Sequence, residues 1–474
     1  MATKKDLVEA HAFSRRRLVT AFVSGAPGGR EVEPVRPGRV LIGGVALSVL
    51  LLAGAAIAGF LLGRPPAQWL DEGSFVISKD TGEQYVVLRG GDDPLLQRVP
   101  NYVSAQLLLQ QADLTPYTVR DKYIRTVQLG ADLGIDAAPA SLPSSGELVD
   151  DGWTACTGDG VGIKVAVQRT PTVEDLAGSA FLVRSEGTTW LIATAPPVGS
   201  KQGSAYRFPM PEDETQSSTL GDRLGFGASA TEVDPDWLNL FRLGDPLEET
   251  SFGVTRGGEP VPYGSTGTDL SRYRIGDLLL SGSGSYYLLG DEKPERLSDF
   301  AGMVYSVVEQ PAQELPGDLS ASFGDSRTPA EWPSEAPQPI ADGALCAVLH
   351  PATGADTTFS LATNPTGAAD PYAADVRPGR HAVDVEPSAG AYVLSGSGEA
   401  ADAGTPYVID PKGEKYELVG SEVPDFLGYG DVDPPLVPST WLEFFEPGVQ
   451  LSTNSARRVP ADAPPADDAA ADAG

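Results

Sequence analysis

Along this chain the apolar positions change character twice. Near the start they recur at helical spacing: Leu7, Ala10, Leu18, Ala21 and Phe22 share one face, and Gly25 ends the pattern. Thr3-Lys4-Lys5-Asp6 ahead of it resembles a capping box. From Gly25 to Pro37 the Pro/Gly content reads as a linker. Val40 to Leu62 is then one unbroken apolar run without a charge, fenced by Arg39 and Arg64. About 20 residues rising ~1.5 Å each span a ~30 Å hydrocarbon layer, so the run predicts a single transmembrane helix over 40–62. It begins too far along the chain for a cleaved signal peptide and lacks the small-residue exit of one.

Beyond Arg64 the apolar positions come in short runs around Gly/Ser/Asp-rich turns, the pattern of β-hairpins. A degenerate signature repeats: Gly, two residues, an aromatic, then two aliphatics. It stands at Gly82 and Tyr85, at Gly187 and Trp190, at Gly284 and Tyr287, and at Gly404 and Tyr407. An apolar run precedes each one: Phe75-Val-Ile, Phe181-Leu-Val, Leu278-Leu-Leu and Tyr392-Val-Leu. Four hairpins imply four related small units. The first and third are followed by one short helix each, near Asn101 and Asp299. The second and fourth end in a shared Trp-Leu-x-x-Phe-x-x-Gly, at Trp237 to Gly244 and Trp441 to Gly448.

The segments between these units carry alternating strands such as Gly162-Ile-Lys-Val-Ala-Val-Gln and Ala344-Leu-Cys-Ala-Val-Leu. The expected layout is a cytoplasmic helix and linker over 1–39, the span at 40–62, and lobes at 65–148, 181–248, 275–310 and 390–457. A core is built from 149–180 and 311–385, and an Ala/Asp/Pro-rich tail over 458–474 is too poor in bulky apolar groups to fold. The expected fold class is thus a single transmembrane helix plus an elongated mixed α/β, mainly β, extracytoplasmic domain, with four hairpin-based lobes around a central core.

Charge supplies an orientation. Residues 1–64 hold nine Lys/Arg against Asp6, Glu9, Glu31 and Glu33, about +5, whereas the whole chain carries −31, so the remainder sums to about −36. The basic side of a span stays in the cytoplasm, which places everything past Arg64 outside. An acidic body is soluble and repels nucleic acid and anionic surfaces. The two cysteines, Cys156 and Cys346, both lie in that outer body. An even pair in an oxidising compartment suggests a disulfide that staples the two halves of the core, the alternative being two unrelated buried thiols.

The opening Met-Ala-Thr-Lys-Lys-Asp-Leu-Val-Glu-Ala-His-Ala-Phe-Ser-Arg-Arg-Arg-Leu-Val-Thr-Ala-Phe resembles the start of the EccB family, the bitopic membrane components of actinobacterial type VII (ESX) secretion systems. The likeness extends through the apolar run, Gly82 to Tyr85, Val99-Pro-Asn-Tyr102, both cysteines and the Trp441 motif. It implies a cytoplasmic helix, one span, and an elongated outer domain whose core is held by a disulfide. It further implies partners: the EccC ATPase, EccD, EccE and a mycosin protease, with self-association into dimers and a hexameric inner-membrane assembly. The implied role is scaffolding the export of WxG and PE/PPE type substrates.

Some members of the family carry an attributed ATPase activity. A phosphate-cradling loop needs Gly-x-x-x-x-Gly-Lys-Ser/Thr, and no lysine here directly follows a glycine. No Gly-x-Ser-x-Gly elbow occurs. The histidines are His11, His350 and His381, without the close Cys/His pairs of a zinc site. Turns such as Asp80-Thr-Gly82 and Asp410-Pro-Lys-Gly413 are explained as hairpin turns without calcium. No catalytic residue, cofactor or metal is therefore expected. The competing reading is a membrane-anchored extracytoplasmic enzyme, a nucleotide or cell-envelope hydrolase, with His350 or His381 as its base.

Overall fold

The computed structural model describes residues 3–24, 37–62, 65–197, 203–227, 230–263, 268–320, 322–340, 344–363, 376–400 and 403–460. They belong to two units, Met1–Pro66 and Ala67–Gly474. In the first unit, α1 spans Lys4–Ser24 and α2 spans Pro37–Leu62. The Asp6 carboxylate accepts the Thr3 N–H and hydroxyl at 3.0 and 2.7 Å, which secures the first turn and lowers the Asp6 pKa. Pro37 opens α2, where its missing N–H costs nothing.

Among the described residues no helix is long and apolar enough to cross a membrane. This corrects the expectation of a single transmembrane helix over 40–62, and with it that part of the fold class. A helix does form over the run, but the side chains described within it are those of residues 41–55. That length rises only about 22 Å, short of a ~30 Å hydrocarbon layer. Arg64 lies outside the described residues, and Arg39 outside those whose side chains are described.

The second unit is mainly β. Its first lobe begins with β1 (Phe75–Ser78), β2 (Gln84–Arg89) and β3 (Leu95–Val99) as an antiparallel meander. Helix α3 (Tyr102–Leu109) returns the chain to β4 (Pro116–Val119), parallel beside β1, and the short α4 (Asp121–Ile124) leads to β5 (Gln128–Leu129), parallel beside β3. Asn101 caps α3: its Oδ1 accepts the Ser104 N–H at 2.8 Å while its Nδ2 donates to the Ile135 carbonyl at 2.8 Å. Three core strands follow, β6 (Trp153–Thr157), β7 (Ile163–Val167) and β8 (Glu174–Asp175).

The second lobe comprises β9 (Ser179–Ser185), β10 (Thr188–Thr194), β11 (Ala205–Pro209), α5 (Glu214–Arg223), β12 (Thr231–Glu232), α6 (Pro235–Leu238) and β13 (Arg242–Leu243). The third comprises β14 (Leu278–Ser281), β15 (Tyr286–Leu289), β16 (Pro294–Leu297), α7 (Asp299–Val308) and β17 (Gln313–Leu315). The short β18 (Gln338–Pro339) then pairs with β9. The core resumes with β19 (Leu345–His350), β20 (Thr358–Thr363) and β21 (His381–Val385). The fourth lobe comprises β22 (Ala391–Gly396), β23 (Thr405–Ile409), β24 (Glu414–Glu417), α8 (Val423–Phe426), β25 (Leu436–Pro438), α9 (Ser439–Leu442), β26 (Glu446–Pro447) and α10 (Thr453–Ala456).

The strand orders expose the repeat. Lobes one, two and four run β4-β1-β2-β3-β5, β12-β9-β10-β11-β13 and β25-β22-β23-β24-β26, the same path in each. Among the described residues lobe three runs β16-β15-β14-β17, without the last strand. The core sheet runs β21-β7-β6-β19-β20-β8. Trp153, Ala155, Val165, Ala347 and Leu361 on one of its faces form a single buried cluster with Phe181, Ile192 and Trp237 of lobe two and Val393, Ile409 and Trp441 of lobe four. Because side chains alternate along a strand, the neighbouring residues Leu182 and Leu191 of lobe two point the other way and pack with Leu278, Phe300 and Tyr305 of lobe three. In the same way Tyr392 and Val408 of lobe four pack with Phe75, Val86 and Val103 of lobe one. The packing order in this unit is therefore lobe three, lobe two, core, lobe four, lobe one.

Candidate functional site

The signature residues sit at equivalent places. Gly82, Gly187, Gly284 and Gly404 all adopt positive φ, 79°, 84°, 89° and 61°, at the turn between the first two strands of their lobes. A residue with a Cβ is strained there, which is why the repeat holds glycine. The aromatics that follow are packing groups. Tyr85 donates to Glu83 Oε2 at 2.8 Å, Trp190 lies under the Arg207 guanidinium at 5.4 Å, Tyr287 stacks on Phe323 at 5.5 Å, and Tyr407 packs against the central cluster.

Trp237 and Trp441 are fully buried against the core from α6 and α9. Trp237 Nε1 donates to the Ala155 carbonyl at 2.8 Å and its ring meets Phe241 edge-on at 5.3 Å. Trp441 Nε1 has no partner among the described residues. The closing glycine of the motif is needed for close approach. A Cβ at Gly244 would stand 2.3 Å from the Phe208 ring, and one at Gly448 would stand 2.4 Å from the Tyr416 ring. Both N–H groups tie the last strand to the third, Gly244 to the Arg207 carbonyl at 3.0 Å and Gly448 to that of Lys415 at 2.8 Å.

Cys156 on β6 and Cys346 on β19 are register partners and form a disulfide across 190 residues of chain. The bond lies on the sheet face opposite the tryptophans, buried among Ala166, Val348 and Ala362. It joins the first core strand after lobe one to the strand on which the core resumes after lobe three.

The structure separates the two outer histidines. His381 and His350 stand on strands three apart in the core sheet and point to opposite faces. His381 is exposed and meets the Phe444 ring edge-on at 5.4 Å. His350 is part of a polar cluster. Its Nε2 lies 2.9 Å from Ser360 Oγ, and its Nδ1 lies 3.6 Å from Asp151 Oδ1. Ser360 Oγ donates onward to Asp175 Oδ1 at 3.1 Å. The carboxylate of Asp151 raises the His350 pKa, and the imidazole lowers that of Asp151. The order Asp, His, Ser invites comparison with a hydrolase triad, but the hydroxyl proton is aimed at Asp175 rather than at the imidazole. A neighbouring carboxylate of that kind opposes the negative charge an attacked carbonyl develops. The cluster borders a cavity of about 730 Å³ lined also by Tyr206, Arg242 and Glu331.

The aspartates of the two Gly-containing turns hold backbone. Asp80 Oδ2 accepts the Asp121 N–H at 2.9 Å, and Asp410 Oδ1 accepts those of Lys412 and Glu414 at 2.9 and 3.0 Å. Among the described residues no group of three His, Cys, Asp or Glu is placed to hold a metal ion.

Residues 1–465 match the sequence model of a family described as "Type VII secretion system ESX-1, transport TM domain B", EccB. The chain belongs to the EccB family. No curated protein matches it. A solved structure of an intact ESX-5 inner membrane complex contains a chain 20% identical, with a TM-score of 0.61 and 98% of each chain covered. A structure of the periplasmic assembly from that ESX-5 complex gives 19% and 0.58 over 85% of this chain and 99% of the other. An EccB3 dimer from the ESX-3 core complex gives 20% and 0.60 over 81% of this chain and all of the other. At such identities the likeness is one of fold.

Sequence reasoning missed one copy of the Trp-Leu-x-x-Phe-x-x-Gly motif. Lobe one carries it as Tyr123-Ile-Arg-Thr-Val127-Gln-Leu-Gly130 on α4 and β5, with the Gly130 N–H bonded to the Leu96 carbonyl at 2.8 Å. The spacing to the glycine was the readable signal; the smaller aromatic and the valine hid it. In lobe three only the glycine contact persists, Gly324 N–H to the Pro294 carbonyl at 3.0 Å.

Proposed function

We propose that this EccB-family chain is a structural component of a type VII secretion inner-membrane complex and acts through protein contacts. The observation that carries the reading is the family match across residues 1–465, supported by the fold likeness to chains of ESX-5 and ESX-3 complexes. The disulfide between Cys156 and Cys346 supports an extracytoplasmic place for the second unit, because such bonds persist in oxidising compartments. Two inner lobes buried on both faces and a stapled central sheet suit a rigid spacer more than a moving catalyst. In this reading the chain associates with copies of itself, as dimers and within a hexameric assembly. Its further partners are an EccC-type ATPase, EccD- and EccE-type membrane components and a mycosin protease. Energy for export of WxG and PE/PPE type substrates comes from the ATPase.

The test is purification of the tagged full-length chain from its own membranes in mild detergent, followed by mass spectrometry. Co-recovery of EccC-, EccD- and EccE-like proteins is expected. Recovery of this chain alone across several detergents overturns the reading.

A further inference from the structure

The His350 cluster ties together parts of the unit that are distant in sequence. His350 ends β19 and runs straight into residues 351–357, which join the core to lobe four. The Ala352 carbonyl accepts the Leu436 N–H at 2.9 Å, and Thr357 Oγ1 donates to the Leu436 carbonyl at 2.8 Å, both in lobe four. The Thr357 N–H donates to the Gly398 carbonyl at 2.8 Å. Just beyond, the Phe359 N–H donates to Ser204 Oγ of lobe two at 3.0 Å. The imidazole stands beside this junction and bonds core groups, with Ser360 and the edge strand β8 on one side and the Asp151 turn on the other.

Its hydrogen-bond geometry favours one protonation state. With the Ser360 hydroxyl donating to the Asp175 carboxylate, the serine offers His350 Nε2 a lone pair. Nδ1 faces the Asp151 carboxylate. Both ring nitrogens therefore face acceptors, and only the imidazolium, with a proton on each, satisfies both. The groups arrayed around it are Asp151 from the turn before β6 and Asp175 from β8; Arg242, Glu331 and Asp356 line the adjoining cavity.

We propose that His350 is a proton-operated clasp within the core, holding the Asp151 turn to β20 and β8 beside the junction with lobes two and four, closed when its imidazole is charged and loosened when it is neutral. This goes beyond the scaffold role and does not depend on it. The sign follows from a raised pKa: the clasp is fully closed below the ordinary histidine pKa and opens as pH rises through the folded-state value. Asp151, whose pKa is lowered, stays ionised throughout that range.

The test is hydrogen–deuterium exchange on the full-length chain at about pH 5.5 and about pH 8, corrected for intrinsic exchange, beside the variant His350→Gln. Glutamine keeps a donor toward Ser360 and does not titrate. Protection of residues 149–152, 174–175 and 351–357 is expected to fall about threefold or more across that range in the wild type and to stay level in His350→Gln. The same fall in both proteins overturns the proposal. Should His350→Gln not fold, the His350 imidazole is followed by NMR in the wild type and in Asp151→Asn. A titration midpoint above the ordinary value that drops in Asp151→Asn is expected, and an equal midpoint in both overturns the clasp.

Discussion

Lobes two and four, next to the core, and lobes one and three, one layer further out, are versions of one unit under different packing demands. The inner pair bury both faces of their sheets, and their tryptophans fill the central cluster. Lobe one has the same strand order and the same glycine bond, yet places Tyr123 and Val127 where the inner lobes have tryptophan and phenylalanine. Lobe three retains only the glycine contact. The difference separates two requirements the inner lobes combine. The glycine serves the unit's own sheet, while the large aromatics serve the contact between unit and core.

That separation predicts unequal costs. Trp237→Ala and Trp441→Ala each empty a fully buried site and are expected to cost about 3–5 kcal/mol. Tyr123→Ala, at a half-buried site, is expected to cost about 1 kcal/mol. Denaturant midpoints of the three variants decide it, and equal losses break the comparison. The disulfide comes next. It staples the core against which the inner lobes pack, so Cys156→Ser is expected to cost about 2–5 kcal/mol. Thermal midpoints with and without reductant check this, and a midpoint insensitive to reductant removes the staple from the argument.

The hairpins were legible because two local signals coincide in them, a glycine that must take positive φ and β-branched or aromatic residues on either side. The core strands were legible through alternation. The closing strands β5, β13 and β26 were not, because two residues carry no period. Each is tied to its neighbour in part by the N–H of a glycine whose φ is unremarkable. The apolar run at 40–62 was read as a span from its composition, whereas the length carried by described side chains falls short. The cluster of Asp151, His350, Ser360 and Asp175 was hidden for a different reason. Asp175 and Ser360 are 185 residues apart, and only the strand order β19-β20-β8 brings them together. Picking out His350 as a candidate base came from its rarity in the chain, not from any signal of its neighbours.

The glycine half of the comparison is tested by Gly244→Ala and Gly448→Ala against Gly130→Ala. In the inner lobes the new methyl meets the rings of Phe208 and Tyr416, which are buried and cannot yield, so a loss of about 1–3 kcal/mol is expected. At Gly130 the nearest atom is Gln97 Cγ at 3.0 Å, on a partly exposed, flexible side chain that can shift. The loss there is expected below about 1 kcal/mol. A Gly130→Ala loss as large as the other two would mean that the glycine serves the turn and not the ring.

The finest comparison is between the inner lobes themselves. Trp237 and Trp441 occupy matching positions, but among the described residues only the first indole N–H has an acceptor, the Ala155 carbonyl on β6. Replacing each by phenylalanine removes a similar volume and, in lobe two alone, a buried hydrogen bond. Trp237→Phe leaves the carbonyl of Ala155 with one bond fewer, whereas Trp441→Phe relieves a buried donor of its unmet need. A missing partner in a buried pair costs about 1–3 kcal/mol, and deleting an unpartnered group is near neutral in that term. Trp237→Phe is therefore expected to be the more destabilising by about 1 kcal/mol in paired denaturant titrations. Equal losses would show that the Trp441 N–H is satisfied in solution, and the two lobes would then be equivalent at the core.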